Sequence, residues 1–256
     1  MVSYMDKITV IIANHNYARY IQAAISSCVA QTVQPYCIAI CEDGSTDNSW
    51  DTILEWFPNK EFTEEHGVKI YRQYLNNTLF VAVQLTKAYG PSFARNVLID
   101  ITKDFTDLYQ ILDADDMMRQ NKLEVLSNKI KEAPTIGLVY ADYDILNVHA
   151  GNLIREWKEP YSRRRLMQEC IVHSGFMVKK ETLIKTAEPT GFYDVNMRTC
   201  EDWDLELRIS ESHLIAHVPQ SLTIVRNHKD NSTFSVPSQI WQQNWNRIRT
   251  KLQSRQ

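Results

Sequence analysis

The chain has 256 residues, of which 44% are hydrophobic and 23% are charged. This length can bury a full core, and the composition is that of an ordinary globular protein. The net charge of −3 gives no general electrostatic attraction to nucleic acid or to an acidic membrane. The five cysteines form no CxxC pair and are odd in number, which argues against a structural zinc site and against a secreted disulfide framework.

The N-terminus carries no basic-then-apolar signal, and no apolar stretch reaches the length of a membrane span. We therefore expect a soluble, cytoplasmic protein with reduced thiols. Charge is uneven at the C-terminus, because no acidic residue follows Asp230 while Arg247, Arg249, Lys251 and Arg255 do. This basic tail is the one hint of a nucleic-acid or lipid contact.

In the first half of the chain, apolar runs typical of strands alternate with amphipathic segments typical of helices. Four strands are predicted, at residues 8–12, 38–41, 68–71 and 108–112. Four helices are predicted among them: one with the face Ile21, Ala24, Ile25, Cys28 and Val29, one over about 50–57, one capped by Ser92, and one around Leu123, Leu126 and Ile130. Such alternation predicts an α/β fold with a parallel sheet covered by helices on both faces.

From Gly137 onward the pattern is less regular. Strands are predicted near residues 138–146, 153–157, 174–178, 214–218 and 222–225, with one helix from about Asp202. The chain has no GxxxxGK[ST] and no GxGxxG motif, so neither the P-loop nor the usual dinucleotide fingerprint is present. We predict one continuous domain over residues 1–236 and a C-terminal basic amphipathic helix over residues 237–256.

Three carboxylates, Asp113, Asp115 and Asp116, directly follow the apolar run 108–112. Acids at the exit of a strand lie where open α/β sheets bind ligands. Because side chains alternate along extended chain, Asp113 and Asp115 can point into the same crevice. Their oxygens suit a divalent cation that shares its other positions with waters and a diphosphate. The alternative is a strand-to-helix turn in which one Asp serves as an N-cap.

Several separated segments match one family in that family's order. They are VIIANHNY (10–17), SCVAQT (27–32), EDGSTD (42–47), ARN (94–96), LDADD (112–116), EDWD (201–204) and RNH (226–228). Over residues 7 to about 232 the chain resembles the inverting glycosyltransferases of family 2. It departs from the usual pattern at Ala13, Glu42 and Gln120, where the family has proline, aspartate and proline.

The resemblance implies a GT-A fold, which is Rossmann-like with a mixed, mainly parallel central sheet flanked by helices. Residues from about 7 to 116 would form the nucleotide-sugar-binding half, and residues from about 117 to 236 the acceptor-facing half. The short C-terminal helix would be an appendage to this domain.

The resemblance also implies a nucleoside diphosphate sugar as donor, with a UDP-sugar favoured. The residues it assigns to the donor site are Ala13, Asn14, Asn16, Asp43, Arg95, Asp113, Ala114 and Trp203. Asp43 would accept a hydrogen bond from the donor's base, and the alternative is an Asp-Gly turn. Arg95 would lie near the nucleotide, and the alternative is a solvated charge on a helix.

A divalent cation, Mn²⁺ or Mg²⁺, is implied as the cofactor, held by Asp115, Asp113 and His228 with support from Asp116. The metal would neutralise the departing diphosphate. Imidazole is a softer ligand that suits Mn²⁺ better than Mg²⁺. The alternative for His228 is a histidine in a surface loop.

The EDWD segment opens a predicted helix, where acids complement the helix dipole and need no other explanation. By resemblance, Asp202 is the general base that takes the proton of the acceptor hydroxyl, and Glu201 and then Asp204 are the next candidates. One displacement with one base inverts the anomeric centre. Trp203 would form an apolar floor for a sugar ring or pack in the core.

The C-terminal segment places Trp241, Trp245, Ile248 and Leu252 on one helical face. Three interpretations stay open: a helix docked on its own domain, a dimer contact, or a surface helix touching anionic lipid or nucleic acid. The triplet RRR (163–165) could form a second basic patch, bind the leaving diphosphate, or be solvated.

The acceptor is predicted to bear a hydroxyl group. The resemblance favours a glycan, and a hydroxylated nucleobase in DNA and a protein side chain stay open. Two other functions compete with glycosyl transfer. A nucleotidyltransferase of similar fold would bring a glycine-rich loop after its first strand, which residues 13–16 do not provide. A non-catalytic nucleotide-sugar-binding module would have no need for both the acidic triplet and Asp202.

Overall fold

The structure is a computed structural model that describes residues 6–65 and 67–255. The strands of this part are β1 Ile8–Asn14, β2 Cys37–Asp43, β3 Phe62–Glu65, β4 Val68–Leu75, β5 Thr78–Leu85, β6 Leu108–Ile111, β7 Met117–Met118, β8 Ile136–Asn147, β9 Leu153–Glu156, β10 Met177–Lys179 and β11 Leu214–Asn227. The helices are α1 Ala18–Val29, α2 Ser49–Leu54, α3 Pro91–Thr102, α4 Lys122–Ile130, α5 Arg163–Leu166, α6 Lys180–Lys185, α7 Glu201–Ile209, α8 Ser232–Ser235 and α9 Ser238–Ser254.

All these strands join one mixed sheet in the order β3-β4-β5-β2-β1-β6-β10-β8-β11-β7, with β9 paired to β8. The block β5-β2-β1-β6 is parallel, as is the pair β8–β11. Strand β10 runs antiparallel to both β6 and β8. The predicted mixed α/β sheet flanked by helices is therefore confirmed.

The core lies on both faces of the parallel block, because neighbouring residues of its strands point to opposite sides. Ile11 and Ala39 belong to one buried cluster, whereas Ile12 and Ile38 belong to the other. Strands buried on both faces read as continuous apolar runs. This is why the sequence predicts β1, β2 and β6 well.

The third predicted strand belongs to a hairpin that the sequence analysis did not anticipate. Strand β4 pairs antiparallel with β5, and Leu75 is opposite Thr78. The two residues between them, Asn76 and Asn77, have φ of 48° and 69°. Such left-handed values define a type I′ turn, which asparagine tolerates. The hairpin inserts β5 as the parallel neighbour of β2, so the order of the sheet is not simple strand–helix alternation.

Two further boundaries differ from the prediction. The expected cap at Ser92 is wrong, because α3 begins at Pro91 after Gly90, and the Ser92 hydroxyl donates to the carbonyl oxygen of Met197 at 2.9 Å. Proline suits the first helical position, where its missing N–H costs nothing. The two strands predicted over 214–225 form one long strand, β11, with an irregular register between Val218 and Ser221.

The C-terminal helix α9 is docked on its own domain. Ile248 is buried, and Asn244 donates to the Thr199 hydroxyl at 2.8 Å. The predicted apolar stripe is wrong in one position, because Trp245 is 45% exposed. The face against the domain instead carries polar residues that find partners there.

Basic side chains of α9 meet buried acids of the domain. Lys251 Nζ lies 2.8 Å from carboxylates of both Glu188 and Asp194, and 3.0 Å from that of Asp204. Arg247 also pairs with Asp194, at 2.9 Å. Most basic residues of the tail are therefore paired with acids of the same chain, so few of them remain to contact lipid or nucleic acid.

The arginine triplet forms the short helix α5. Arg165 pairs with Glu159 and Glu169, while Arg163 and Arg164 are exposed. Within residues 6–65 and 67–255, none of the helices combines the length and apolar character that crossing a membrane requires.

Candidate active site

Three neighbouring parallel strands end at one edge of the sheet, and predicted donor-site residues lie at these ends. Asn14 and Asp43 are the last residues of β1 and β2, and Asp113 lies two residues beyond β6. Residues at such strand ends face a common crevice. The structure therefore brings these three side chains to the same edge of the sheet.

The loops after β1 and β2 are joined by hydrogen bonds. Asn16 has a left-handed φ of 59°, and its Oδ1 accepts the Thr46 N–H at 2.8 Å. The Asn16 N–H donates to the Ser45 hydroxyl at 2.8 Å. Asn14 is buried, and its Oδ1 has no hydrogen-bond partner within the described chain. Asn14 thus keeps a free acceptor beside this junction, whereas Ala13 packs against the core.

Asp43 anchors the loop that leads into α3. Its two carboxylate oxygens accept the N–H groups of Tyr89 and Gly90, each at 2.7 Å. Gly44 follows with φ of 61°, and a Cβ there would lie 2.3 Å from the carbonyl carbon of Lys87. Each carboxylate oxygen can accept a second hydrogen bond. The chain bends at Gly44, which agrees with the Asp-Gly alternative, and recognition of the base by Asp43 stays a prediction.

Arg95 is the central cation of the site. Its guanidinium lies 2.9 Å from Asp113, 2.8 Å from Glu201 and 3.5 Å from Asp202, and it rests over the Tyr193 ring. Burial alone would lower the pKa of Arg95, but the three acids raise it well above its usual value. The alternative of a solvated helix charge is wrong, because Arg95 is 5% exposed. One side chain thus joins the acidic strand end to the start of α7.

Ser174 completes the surroundings of Asp113, and the sequence analysis missed it. Its hydroxyl donates to Asp113 Oδ2 at 3.0 Å. Met177 of β10 pairs with Gln110 of β6 in antiparallel register, so Ser174 comes opposite Asp113. A hydrophobic pattern reports no strand direction, and the contact therefore had no signal in the sequence. Ala114, the neighbour of Asp113, is buried in the core.

Asp115 and His228 meet from distant parts of the chain. His228 Nε2 lies 3.0 Å from Asp115 Oδ2, which also accepts a hydrogen bond from Asn231 at 2.9 Å. The His228 ring is 4.4 Å from the Tyr20 ring, stacked on it, and is 4% exposed. The alternative of a surface-loop histidine is therefore wrong. Asn231 is a second site residue that the sequence analysis did not identify.

Asp116 lies behind this pair. Its Oδ1 accepts the Arg226 N–H at 3.0 Å. Burial, and then the charge of Asp115, raise the pKa of Asp116 well above its usual value. Lys122 is fully buried nearby and donates to the Thr223 hydroxyl at 2.7 Å, and burial lowers the pKa of its ammonium to about 8. Asp116 therefore belongs to the buried support of the acidic cluster.

The donor set around Asp115 fits a divalent cation. Within residues 6–65 and 67–255, no three His, Cys, Asp or Glu side chains are grouped as a complete metal site. Asp115 and His228 nevertheless direct a carboxylate oxygen and an imidazole nitrogen at each other, and Asp113 lies two residues before Asp115. Burial, and then the charge of Asp113, raise the pKa of Asp115. A cation would relieve both effects, since it favours the charged carboxylate.

The three acids of α7 have different surroundings. Asp204 is 1% exposed and is bound by Arg208 and Lys251, whereas the Asp202 side chain keeps 17% of its surface exposed. Glu201 is 9% exposed and pairs closely with Arg95. Burial raises the pKa of Asp202 to about 8, even though Arg95 acts in the opposite direction. Of these three acids, Asp202 has the greatest access to the crevice and a pKa suited to accepting a proton near neutrality.

Trp203 packs in the core. It is 8% exposed, and its indole N–H donates to the carbonyl oxygen of Leu166 at 2.7 Å. A buried indole usually finds such a partner. The structure therefore favours the core role of Trp203 over the sugar-contacting floor.

Comparison with known families gives a match over most of the chain. The model of the family "Glycosyl transferase family 2" matches residues 9–185. An uncharacterized glycosyltransferase of Nostoc sp. is 33% identical over 135 residues, 52% of this chain and 36% of that protein. The hyaluronan synthase of Pasteurella multocida is 26% identical over 236 residues, 91% of this chain and 22% of the synthase. The chain thus spans about a fifth to about a third of the length of these two relatives.

A relative of more similar size comes from Escherichia coli. It is the UDP-Glc:alpha-D-GlcNAc-diphosphoundecaprenol beta-1,3-glucosyltransferase WfgD, 26% identical over 214 residues, 82% of this chain and 72% of that enzyme.

Solved structures show the same fold at low identity. S. aureus TarS in complex with UDP-GlcNAc aligns with a TM-score of 0.65 and 17% identity, covering 90% of this chain and 61% of TarS. The mannosyltransferase PcManGT from Pyrobaculum calidifontis, in complex with GDP-Man and Mn²⁺, aligns with a TM-score of 0.62 and 16% identity, covering 90% and 59% of the two chains. The chain therefore has the fold of these nucleotide-sugar enzymes.

Proposed function

The chain belongs to glycosyl transferase family 2, and from this premise we propose that it transfers a sugar from a nucleoside diphosphate sugar, with a UDP-sugar favoured, to an acceptor hydroxyl with inversion. The observation that carries the proposal is the Arg95 network. It links Asp113, at the edge where a donor would bind, to Glu201 and Asp202 on α7. This network supports the proposal because it joins the edge where the donor would bind to the acid that would act as the base.

On the donor side, the base would lie over the ends of β1 and β2, where Asn14 offers its free acceptor and Asp43 a second lone pair. The diphosphate would lie toward Asp115 and His228, which would hold the Mn²⁺ or Mg²⁺ together with Asp113. When bound, that cation supplies charge neutralisation for the departing diphosphate. Asn231 would orient Asp115 and Tyr20 would orient His228, through the hydrogen bond and the ring contact described above.

On the acceptor side, Asp202 would take the proton of the attacking hydroxyl. The oxygen–carbon bond to the sugar forms as the bond to the diphosphate breaks, on opposite faces of the ring. Because an alcohol is far less acidic than a carboxylic acid, proton transfer accompanies bond formation rather than preceding it. Arg95 holds Asp202 in place from one side, and no second carboxylate is required as a nucleophile for an inverting displacement.

The rate should depend on pH through Asp202. Since its pKa is raised to about 8, the proton-accepting form increases as the pH rises toward that value. We expect kcat/KM to rise by about tenfold per pH unit between pH 6 and 7.5 and to level off above pH 8. Initial rates over pH 5.5–9 on a stable donor would measure this, and a flat profile would contradict the role of Asp202.

Removing the Asp43 carboxylate should weaken nucleotide binding. Asp43→Ala is expected to weaken the binding free energy of the cognate nucleoside diphosphate by roughly 1–3 kcal/mol, the usual loss of a hydrogen bond to a charged group. The melting temperature should also fall, because the N–H groups of Tyr89 and Gly90 lose their acceptor. Titration calorimetry and thermal melting on the same protein separate the two effects. An unchanged Kd beside a lowered melting temperature would leave Asp43 as a loop anchor alone.

A thermal-shift screen tests the proposal as a whole. Nucleoside diphosphates and their sugars are added with Mn²⁺ or with a chelator, since a ligand that binds the native state raises the melting temperature by mass action. We expect a UDP-sugar with Mn²⁺ to give the largest shift, followed by release of UDP once an acceptor is supplied. Binding without turnover would indicate a nucleotide-sugar-binding module, and a stabilising nucleoside triphosphate would indicate a nucleotidyltransferase.

A further inference from the structure

A second group of polar side chains lies beside the candidate active site, and the proposed reaction does not use it. We call it the Tyr143 cluster, and it consists of Tyr143, Lys158 and His173. The ring centroids of Tyr143 and His173 are 4.5 Å apart, and Lys158 Nζ lies 5.9 Å from the centroid of the Tyr143 ring. The Lys158 N–H donates to Asp142 at 2.9 Å, which fixes the backbone from which the ammonium extends.

The Lys158 ammonium and the His173 imidazole each have an N–H group that meets no acceptor among the described residues. His173 Nδ1 accepts the N–H of Gly175 at 3.0 Å, so the proton of the neutral ring is on Nε2. Burial, and then the charges of Lys122 and Lys158, lower the pKa of His173 well below its usual value. Across residues 6–65 and 67–255, no acceptor meets His173 Nε2 and no carboxylate pairs with Lys158 Nζ.

The nearby acids do not neutralise Lys158. Glu156 is opposite Tyr143 in the β8–β9 pair, but it is exposed to solvent. Glu206 is fully buried, with one carboxyl oxygen unpartnered and the other accepting from the Cys170 thiol at 3.6 Å. Burial raises the pKa of Glu206 well above its usual value, and this favours its neutral acid form. Asp142 is also buried nearby, but its Oδ1 contacts the Lys158 N–H and His217 Nε2, so none of these three acids forms an ion pair with the Lys158 ammonium.

The Tyr143 cluster borders the candidate active site on the side of α7. His173 is followed by Ser174, which binds Asp113 at 3.0 Å. Burial, and then the charge of Glu206, raise the pKa of the Cys170 thiol well above its usual value, and Lys158 and Asp202 are both close enough to act on it in opposite directions. Glu206, the partner of that thiol, is one helical turn beyond Asp202. A group bound by Lys158 and His173 would therefore lie next to the hydroxyl that Asp202 activates.

We propose that Lys158 and His173 bind an anionic group of the acceptor, a carboxylate or a phosphate, and so select an acidic acceptor. The ammonium provides the charge, and the imidazole N–H provides a directed hydrogen bond. The proposal rests on the proposed function, because it places the acceptor beside Asp202. It goes beyond that function by naming the chemical class of the acceptor.

The test measures binding of three sugar probes to the whole chain with UDP and Mn²⁺ present, by calorimetry or ligand-observed NMR. The probes are methyl β-D-glucuronide, glucose 6-phosphate and the neutral methyl β-D-glucoside. Wild-type protein should bind at least one charged probe about tenfold more tightly than the glucoside, as expected for charge-assisted hydrogen bonds. The charged probe that binds better identifies the anion as carboxylate or phosphate.

Three variants assign the preference to the Tyr143 cluster. Lys158→Met should reduce it to within about twofold, and His173→Phe should weaken it while keeping an aromatic ring against Tyr143. Lys158→Arg should retain it. Lys180→Met is the matched control. Lys180 lies at the opposite edge of the sheet, where its backbone N–H donates to the carbonyl oxygen of Asp107, just before β6. Melting temperatures show that each variant is folded.

Equal affinity for charged and neutral probes, or no binding of either, would overturn the proposal. So would a loss of UDP affinity in Lys158→Met that equals its loss of probe preference, since the anion would then be the donor's diphosphate. UDP binding to wild-type protein is measured separately with Mn²⁺ and without probe. Its absence would refute the proposed function, whereas its presence without a charge preference refutes the acidic acceptor alone.

Discussion

Replacing Asp202 by asparagine should lower sugar transfer by about 10²–10⁴-fold, the usual contribution of a general base. Donor affinity should change little, because Glu201 and Asp113 keep Arg95 in place. The melting temperature should be equal or slightly higher at pH 8. The raised pKa of Asp202 weakens the fold as the pH rises from the value of a free carboxyl to about 8, and the uncharged amide removes that effect.

Asp204→Asn is the control for this variant, since it changes an acid two residues away on the same helix. Asp204 is buried against Arg208 and Lys251, so breaking these pairs should lower the melting temperature. The kcat of the folded enzyme should stay near that of the wild type. An active Asp202→Asn with a lowered melting temperature would mean that Asp202 serves the structure and that the base is elsewhere.

Asp115→Asn should be the second most damaging substitution, with a loss of transfer of about 10²-fold or more, because it removes the carboxylate that would hold the cation. Addition of a chelator to the wild type should have the same effect, and Mn²⁺ should restore activity at least as well as Mg²⁺. The thermal shift produced by Mn²⁺ with a nucleoside diphosphate should disappear in Asp115→Asn.

Asp116→Asn is the matched comparison. Burial and the neighbouring acids already favour its neutral form, and an amide oxygen can still accept the Arg226 N–H. We therefore expect far more activity in Asp116→Asn than in Asp115→Asn. Undiminished transfer in chelator-treated protein would contradict a metal-dependent reaction, and equal losses in the two variants would contradict a special role for Asp115.

The sequence predicts three of the four strands of the parallel block, β1, β2 and β6, because burial on both faces gives each of them a mainly apolar pattern. It also predicts the helix α7, whose first turn is acidic. Strand β5 has an equally strong apolar pattern, but the signal that joins it to β4 is Asn76-Asn77 rather than the common Asn-Gly. The register and direction of β10 depend on long-range pairing, which local patterns do not encode.

For the site, motif resemblance identified residues but not their partners. Asp115 and His228 were assigned to one site, and the structure brings them within 3.0 Å of each other. The role of Arg95 as the link between Asp113 and α7 depends on burial, which one arginine in a helix does not reveal. Ser174 and Asn231 had no distinctive motif, because a single polar residue in a loop usually faces solvent.

The ion pairs between α9 and the domain determine how early in its synthesis the chain can complete its fold. Asp194 and Asp204 are almost fully buried, yet their counter-charges on Lys251 come 57 and 47 residues later. At 5–20 residues per second, a ribosome needs about 2–11 seconds to add such a segment. During that interval Asp194 lacks both Arg247 and Lys251, and Asp204 keeps only Arg208, so these acids resist burial. We expect the part of the domain that contains α7 to complete its folding only after α9 has emerged from the ribosome. Nascent chains that stop before α9 should therefore be cleaved more readily by proteases within α7.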